Sequence, residues 1–158
     1  MAGSIRRTGP PQVKNALGNG ALSVEHIGST AVPGLAAKPI VDMLLVVHDV
    51  TDEGAYVTPL EQEGFVLRVR EPRHRMLRTT EKDVHIHVFE LESQEITDYR
   101  DLRDWLRINE ADRDLYASTK KKLAQQRWSD MNYYADAKSS VVQQILGRAR
   151  DWRRTSRD

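Results

Sequence analysis

The sequence contains no cysteine, no long apolar run and almost no excess of either charge. The absence of cysteine excludes disulfide scaffolds, iron–sulfur clusters, thiolate zinc sites and cysteine nucleophiles. Any metal ion must therefore be bound mainly by His, Asp or Glu. With 24 Lys and Arg against 23 Asp and Glu, the net charge is +1. This balance argues against a partner such as long nucleic acid, because proteins that bind it need a basic excess.

The apolar runs predict no membrane-spanning segment. The longest, residues 40–47, is interrupted by Asp42 and is far shorter than the roughly 18 residues that cross a bilayer. The first eleven residues include two arginines but lack the apolar stretch of a secretory signal. We therefore expect a cytoplasmic protein with no membrane partner.

The chain has two parts that meet near residue 92. Before that point Gly, Pro and β-branched residues separate short apolar runs, whereas after it Gly is nearly absent and apolar residues recur at helical spacing. This pattern predicts a sheet layer followed by helices. Strands are predicted at residues 23–27, 39–47, 65–70, 75–78 and 84–89, and a helix at 52–63.

A Gly28-Ser29-Thr30 turn follows the first predicted strand. Its free backbone N–H groups and two hydroxyls can hold a phosphate, although an ordinary tight turn would use the same residues. Asp42 is a lone carboxylate in an otherwise apolar strand, where burial without a partner costs several kcal/mol. Asp42 therefore lies at the wet end of its strand or binds a cation, unless it caps the preceding loop or pairs with an arginine.

His85 and His87 alternate on the last predicted strand and so share one face. If that strand lies beside the one that carries Asp42, the three side chains converge into a site with two imidazoles and one carboxylate. Such a donor set suits Zn²⁺, Mn²⁺ or Fe²⁺ better than Mg²⁺, and His26 is a candidate fourth ligand. The alternatives are a solvated sheet face or simple hydrogen bonds from both imidazoles to Asp42.

Five arginines crowd two predicted strands, where with His74 they could line a triphosphate or another acidic ligand. Strand alternation predicts that Arg68 and Arg70 share a face, and Arg73 and Arg75 are candidate nucleotide-binding residues. A solvated outer face is the alternative. The five are Arg68, Arg70, Arg73, Arg75 and Arg78.

Several segments together resemble the GrpB family over about residues 22–150; they are HIGSTAVPGLAAKPIVDMLLVV, HIHV, YRDLR, KKKLAQQ and DAKSSVVQQIL. That family is placed in the nucleotidyltransferase superfamily, whose hallmark is Gly-Ser on a loop and an Asp-hydrophobic-acidic pair on the next strand. The resemblance implies an α/β (α+β) fold: a nucleotidyltransferase-like mixed sheet with helices packed on it and a helical C-terminal half. Segment 1–21 matches poorly, so one domain is predicted at 22–151, followed by a frayed tail at 152–158.

The resemblance also implies roles for individual residues. Gly28 and Ser29 become the phosphate-binding turn and Asp42 the first metal-binding acid. Position 44, where the superfamily has a second acid, is Leu, so the paired acids that hold two Mg²⁺ ions are absent there. A single Asp can still hold one Mg²⁺ together with substrate phosphates. Lys120 and Lys138 fall where the family has recurrent lysines and could meet phosphate at a pocket rim, or lie on a solvated face.

We therefore expect a protein that binds a nucleotide or another small phosphorylated ligand. The predicted nucleotide-binding residues are Gly28, Ser29, Thr30, Lys38, Arg73, Arg75, Lys120 and Lys138. A divalent metal, Mg²⁺ or Mn²⁺ with Zn²⁺ as a further option, is predicted at Asp42, His85 and His87. Asp42 and His87 are the catalytic candidates for metal-assisted nucleotidyl transfer to an acceptor.

The sequence is consistent with two alternative functions. A non-catalytic module that binds a nucleotide or a CoA-type ligand is favoured by Leu44, and similar domains are fused behind dephospho-CoA kinase in some bacteria. A metal-dependent hydrolase that uses Asp42, His85 and His87 is the second alternative.

Overall fold

The structure is a computed structural model that describes residues 9–35, 40–81, 83–125 and 131–156, with the backbone alone at 123–125 and 131–139. Its helices and strands are α1 (Pro10–Leu17), β1 (Ser23–Ile27), β2 (Val41–Val47), α2 (Val57–Gln62), β3 (Phe65–Glu71), β4 (His74–Thr79), β5 (Val84–Glu90), α3 (Gln94–Ile108), α4 (Glu110–Gln125) and α5 (Met131–Ser156). None of the helices in these ranges combines the length and apolar character that a bilayer crossing requires.

The five strands form one mixed sheet in the order β1-β2-β5-β4-β3. β2 and β5 run parallel, and every other neighbouring pair is antiparallel. A parallel pair needs a long crossover connection, which here contains α2 and the β3–β4 hairpin. The mixed sheet and the helices that follow it confirm the predicted α/β (α+β) class.

β2 is buried on both faces because nearly every residue in it is apolar. Met43, Leu45 and Val47 face a core that α1 and α2 close with Val13, Leu17 and Leu60. On the other face, Leu44 and Val46 pack with Ile96 of α3. Only the first two residues of the strand, Val41 and Asp42, are incompletely buried. The Asp42 side chain is 28% exposed. Asp42 therefore lies at the wet end of its strand.

The pairing of β3 with β4 is irregular at Arg68. Leu67 pairs with Leu77, whereas Val69 pairs with Met76, so the register shifts between them. Alternation along β3 does not hold through this shift. It therefore does not determine the face of Arg68.

Glu53, just before α2, binds two of the arginines of this hairpin. Arg70 donates to both of its carboxylate oxygens at 2.8 Å, and Arg75 Nε donates at 3.0 Å. Arg75 is buried, and its guanidinium also donates to the carbonyl oxygens of Glu71 and His74. The hydrogen bonds from Arg70 and Arg75 lower the pKa of Glu53 to about 2.

We expect Glu53→Gln to lower the free energy of unfolding at pH 7 by about 2 kcal/mol, because buried Arg75 loses its charged partner. The folded-state pKa of Glu53 lies below its ordinary value of 4.5. Its contribution is therefore complete above about pH 4.5 and is lost as the pH falls towards 2. Urea unfolding should show a smaller difference between wild type and variant at pH 3 than at pH 7. Exposed Glu61 gives the control Glu61→Gln, and a Glu53→Gln protein as stable as wild type at pH 7 would contradict the expectation.

Buried aspartates connect the three C-terminal helices. Asp112 of α4 accepts hydrogen bonds from Arg148 of α5 at 2.6 Å and from Trp105 Nε1 of α3 at 2.7 Å. The bond from Arg148 is the largest influence that lowers the pKa of Asp112. Arg153 of α5 donates to buried Asp101 of α3 at 3.0 Å. These contacts fix α3 and α4 against α5, and thereby fix the side chains that α3 and α4 direct towards the sheet.

Candidate metal and phosphate site

One face of the sheet carries rows of side chains that cross the strands, because residues paired on neighbouring strands point the same way. We call the row nearest the Gly28 turn the first row; it consists of Ile27, Asp42, His85, Arg78 and Val66. The second row consists of Glu25, Leu44, His87, Met76 and Val69. The sequence predicts convergence of Asp42, His85 and His87 if their two strands are neighbours. β5 does lie beside β2, and its two histidines share the face of Asp42.

Asp42, His85 and His87 form a compact cluster of metal-binding atoms. His87 Nε2 lies 3.3 Å and His85 Nδ1 lies 3.7 Å from Asp42 Oδ1. One ligand atom from each residue lies within 4.8 Å of those of the other two. All three side chains are half-buried, so an ion could enter from solvent. Two imidazoles and one carboxylate suit Zn²⁺, Mn²⁺ or Fe²⁺ in their chemistry.

Aromatic packing holds the imidazole of His87 in place. The His87 ring is stacked with His74, with centroids 6.4 Å apart, and lies 5.9 Å from the ring of Tyr99 on α3. Burial raises the pKa of Tyr99, and the negative charge of Asp42 adds to that shift. His85 Nε2 is buried without a hydrogen-bond partner among the described residues. The other ring nitrogen of His85, Nδ1, is the one that faces Asp42.

The Gly28 turn lies directly against Asp42. Gly28 has a φ of +77°, in the region that favours glycine. A Cβ atom at this position would stand 2.7 Å from Asp42 Oδ2. Both the backbone conformation and the close approach therefore require glycine, and the turn in return limits where the Asp42 carboxylate can point.

Ser29 and Lys120 meet beside this turn, although 91 residues separate them along the chain. Lys120 Nζ of α4 donates to Ser29 Oγ at 3.1 Å, and Ser29 is only 8% exposed. Two of the predicted phosphate-binding residues are thus in contact. Their hydroxyl and ammonium groups form a pair of donors that suits an anion.

Thr30 and His26 are used within the loop itself. The Thr30 hydroxyl donates to the carbonyl oxygen of Ile40 at 2.9 Å, and it therefore accepts from His26 Nε2, also at 2.9 Å. Burial is the largest influence that lowers the pKa of His26, and the charges of Arg107 and Arg103 add to it. His26 is not part of the metal-binding cluster found among the described residues. Both side chains hold the loop beside Asp42.

Two arginines of α3 also hold this loop and were not among the predicted site residues. Arg107 Nε donates to the carbonyl oxygen of Ala31 at 2.9 Å, and Arg103 Nη1 donates to that of His26 at 3.3 Å. Arg103 also pairs with Glu25 of the second row at 3.2 Å. The one sequence signal is the helical spacing of these arginines, which does not by itself indicate a loop as their partner.

The other predicted ligand-binding residues do not meet at the cluster. Arg75 lies on the opposite face of the sheet, bound to Glu53. Arg73 lies in the β3–β4 turn with its Nε 3.7 Å from Glu90. Lys38 lies outside the described residues, and so does the side chain of Lys138.

Leu44 occupies the position of the missing second acid and is fully buried. It packs with Ile27, Phe89 and Ile96 between the sheet and α3. Its neighbour in the second row is His87. At the β2 position where the resemblance implies a second carboxylate, this protein thus has a core residue with an imidazole beside it.

Comparisons with known proteins identify the family of this chain. Residues 10–148 match the family described as GrpB protein. The UPF0157 protein BH1888 of Halalkalibacterium halodurans is 52% identical over 141 residues, which is 87% of this chain and 72% of that protein. The crystal structure of the conserved protein GrpB from Enterococcus faecalis is 33% identical with a TM-score of 0.76, covering 88% of this chain and 86% of that one.

A more distant likeness concerns the fold alone. The Cid1 poly(U) polymerase, in its MgGTP-bound structure, is 16% identical with a TM-score of 0.51. The match covers 74% of this chain but only 40% of the Cid1 chain. It confirms the expected nucleotidyltransferase-like fold.

Proposed function

This chain belongs to the GrpB family, and we propose that it binds a nucleotide together with one divalent metal ion. The metal ligands are Asp42, His85 and His87, and the phosphate donors are Ser29 and Lys120. The observation that carries the proposal is the convergence of the three metal-binding atoms within 4.8 Å beside the Gly28 turn.

The donor set of the cluster favours a transition metal over Mg²⁺. Mg²⁺ prefers oxygen ligands in octahedral geometry, whereas imidazole nitrogen suits Mn²⁺ and Zn²⁺. Mn²⁺ is the ion of choice for testing, because it accepts both imidazoles and phosphate oxygens. An ion here supplies positive charge that offsets the charge of a bound phosphate.

The surroundings of the turn are rich in positive charge. Lys120 donates to Ser29, and Arg103 and Arg107 donate to the loop on either side of it. The two arginines are partly committed to acidic partners and carbonyl groups, while Lys120 bonds only a neutral hydroxyl among the described residues. Lys120 is therefore the cation best placed to exchange its contact for a phosphate oxygen.

Leu44 decides how far the proposal extends towards catalysis. Polymerase-like transfer uses two ions held by paired carboxylates, and burial of Leu44 in the core leaves ligands for one. If the protein is a transferase, a single ion and the basic groups act on the transferred phosphate, with Asp42 and His87 nearest to it. A nucleotide- or CoA-type binding module without catalysis is consistent with the same residues.

Metal-dependent hydrolysis is a second candidate, favoured by the two imidazoles in the cluster. A water molecule bound to a transition-metal ion is a stronger nucleophile at neutral pH than bulk water. Release of phosphate or pyrophosphate from a nucleotide without an acceptor would indicate hydrolysis. Release only when an acceptor is present would indicate transfer.

Calorimetry with ATP, GTP, CTP and UTP in the presence of Mn²⁺ tests the proposal. At least one of the four should bind to wild type, and Asp42→Ala and Ser29→Ala should each weaken that binding. If none of the four binds in Mn²⁺, Mg²⁺ or Zn²⁺, the proposal is wrong.

The contribution of Lys120 can be measured separately. We expect Lys120→Met to weaken binding of the same nucleotide about tenfold, because one charge-assisted hydrogen bond to phosphate is lost. Lys121→Met is the matched control, since Lys121 is exposed on the same helix and has the same charge. Equal losses in the two variants would mean that only the general charge of α4 matters, and no loss in Lys120→Met would remove it from the site.

A further inference from the structure

The first row of the sheet continues beyond the metal cluster to Arg78, one of the five arginines of the β3–β4 hairpin. We propose that Arg78 binds the distal phosphates of a nucleoside triphosphate, so that the site prefers triphosphates over monophosphates. This inference rests on the proposed nucleotide binding and names the ligand class more narrowly.

Register places Arg78 next to the cluster. Arg78 of β4 pairs with His85, which in turn pairs with Asp42. The three side chains therefore share one face, with neighbouring strands about 4.8 Å apart. Ser29 lies beyond the other end of this sequence of pairs, just after Ile27 of β1. The metal ligands thus lie between the Ser29–Lys120 pair and Arg78.

Most of the other arginines of this hairpin are close to acidic side chains, whereas Arg78 is not paired in this way among the described residues. Arg70 and Arg75 bind Glu53, and Arg73 is close to Glu90. Arg78 is half-buried and has no ion-pair partner among the described residues. Arg68, also without one there, is exposed at the register shift of β3 and lies outside the first row.

Among the described residues, no helix packs extensively on the part of the sheet around Arg78. Helix α3 packs on β1 and β2, which lie towards the opposite edge of the sheet from β4 and β3. Val66, the next residue of the first row after Arg78, is 39% exposed. A phosphate chain can therefore extend along the row without displacing a helix that packs there.

The length of the row selects the ligand. From β1 to β4 there are three strand spacings, about 14 Å in all. A single phosphate held by Ser29 and Lys120 is too short to reach the β4 end, whereas a chain of three phosphates extends past the metal ligands towards Arg78. Arginine offers several N–H donors in a planar fork that matches phosphate oxygens.

Calorimetry with ATP, ADP, AMP and inorganic triphosphate, each in Mn²⁺, tests this assignment. We expect Arg78→Met to weaken ATP and inorganic triphosphate about tenfold and to leave AMP within twofold. Arg78→Lys should recover part of the loss, because it restores the charge without the fork. Arg68→Met removes the same charge from an exposed position and should leave all four ligands within twofold.

Each other outcome overturns the inference. Equal weakening of ATP and AMP would show that Arg78 acts through the general field, and unchanged ATP binding would show that it does not touch the phosphates. If ATP binds to wild type but Arg78→Met has no selective effect, only this inference fails. If the wild-type protein binds none of these probes and also does not bind GTP, CTP or UTP, both this inference and the proposed function fail. Thermal unfolding and Mn²⁺ titration of the variant establish that fold and cluster are intact.

Discussion

Replacing Asp42 by alanine is expected to weaken Mn²⁺ and Zn²⁺ binding at least about 100-fold, since even loss of a residue that only supports a ligand costs 10- to 100-fold. Asp42 is the only oxygen ligand of the cluster found among the described residues, and both imidazoles face its Oδ1 atom. Titration calorimetry with MnCl₂ and ZnCl₂, followed by metal analysis of the dialysed protein, measures the effect.

Asp52→Ala is the matched control for this experiment. Asp52 is an exposed carboxylate that makes no capping hydrogen bond at the start of its short helix, so its loss should leave metal binding unchanged. His87→Ala should behave like Asp42→Ala. A wild-type protein that binds neither ion, or an Asp42→Ala protein that retains stoichiometric metal at wild-type affinity, would show that the cluster is not a metal site.

Gly28→Ala is expected to weaken metal binding about tenfold or more, because metal sites tolerate ligand displacements of only a few tenths of an ångström. The added Cβ atom would meet Asp42 Oδ2 at 2.7 Å, so the carboxylate must move. The backbone angles of Gly28, φ +77° and ψ −172°, lie in a region that is essentially restricted to glycine, and they add about 1–3 kcal/mol of strain. The variant should therefore lose both some stability and most of its metal affinity.

Gly34→Ala separates these two effects. Gly34 has a φ of +82°, but an added Cβ atom would have only Arg113 Nη1 within 4 Å, at 3.9 Å. It should lose stability in urea unfolding through backbone strain alone, with metal binding unchanged. If the two variants lose metal affinity equally, strain in the loop rather than contact with Asp42 is responsible.

The parts of the site that local patterns determine could be predicted from the sequence. Alternation places His85 and His87 on one face, and a lone Asp42 in an apolar strand must lie where water or a cation can reach it. The structure agrees in both respects. Whether the two strands are neighbours could not be derived from periodicity, because strand order depends on the packing of the whole sheet.

The parts that depend on distant partners could not be predicted in this way. Alternation places Arg75 and Arg78 on opposite faces of β4, but it does not show that Glu53 binds the one or that the other lies in the row with Asp42. The register shift at Arg68 interrupts alternation on β3. No residue in this segment has a type that predicts such a shift. Lys120 was identified through the family resemblance, and its contact with Ser29 arises from the docking of α4.

The parallel pairing of β2 with β5 has a consequence for folding. β1 and β2 form one antiparallel pair, β3, β4 and β5 form a continuous meander, and these two units join along β2 and β5. Asp42 lies on one side of this seam, and both histidines lie on the other. An ion bound by all three residues would link the two units across this seam. Because the unfolded chain does not hold these ligands together, the binding free energy of the ion adds to the free energy needed to separate the two units.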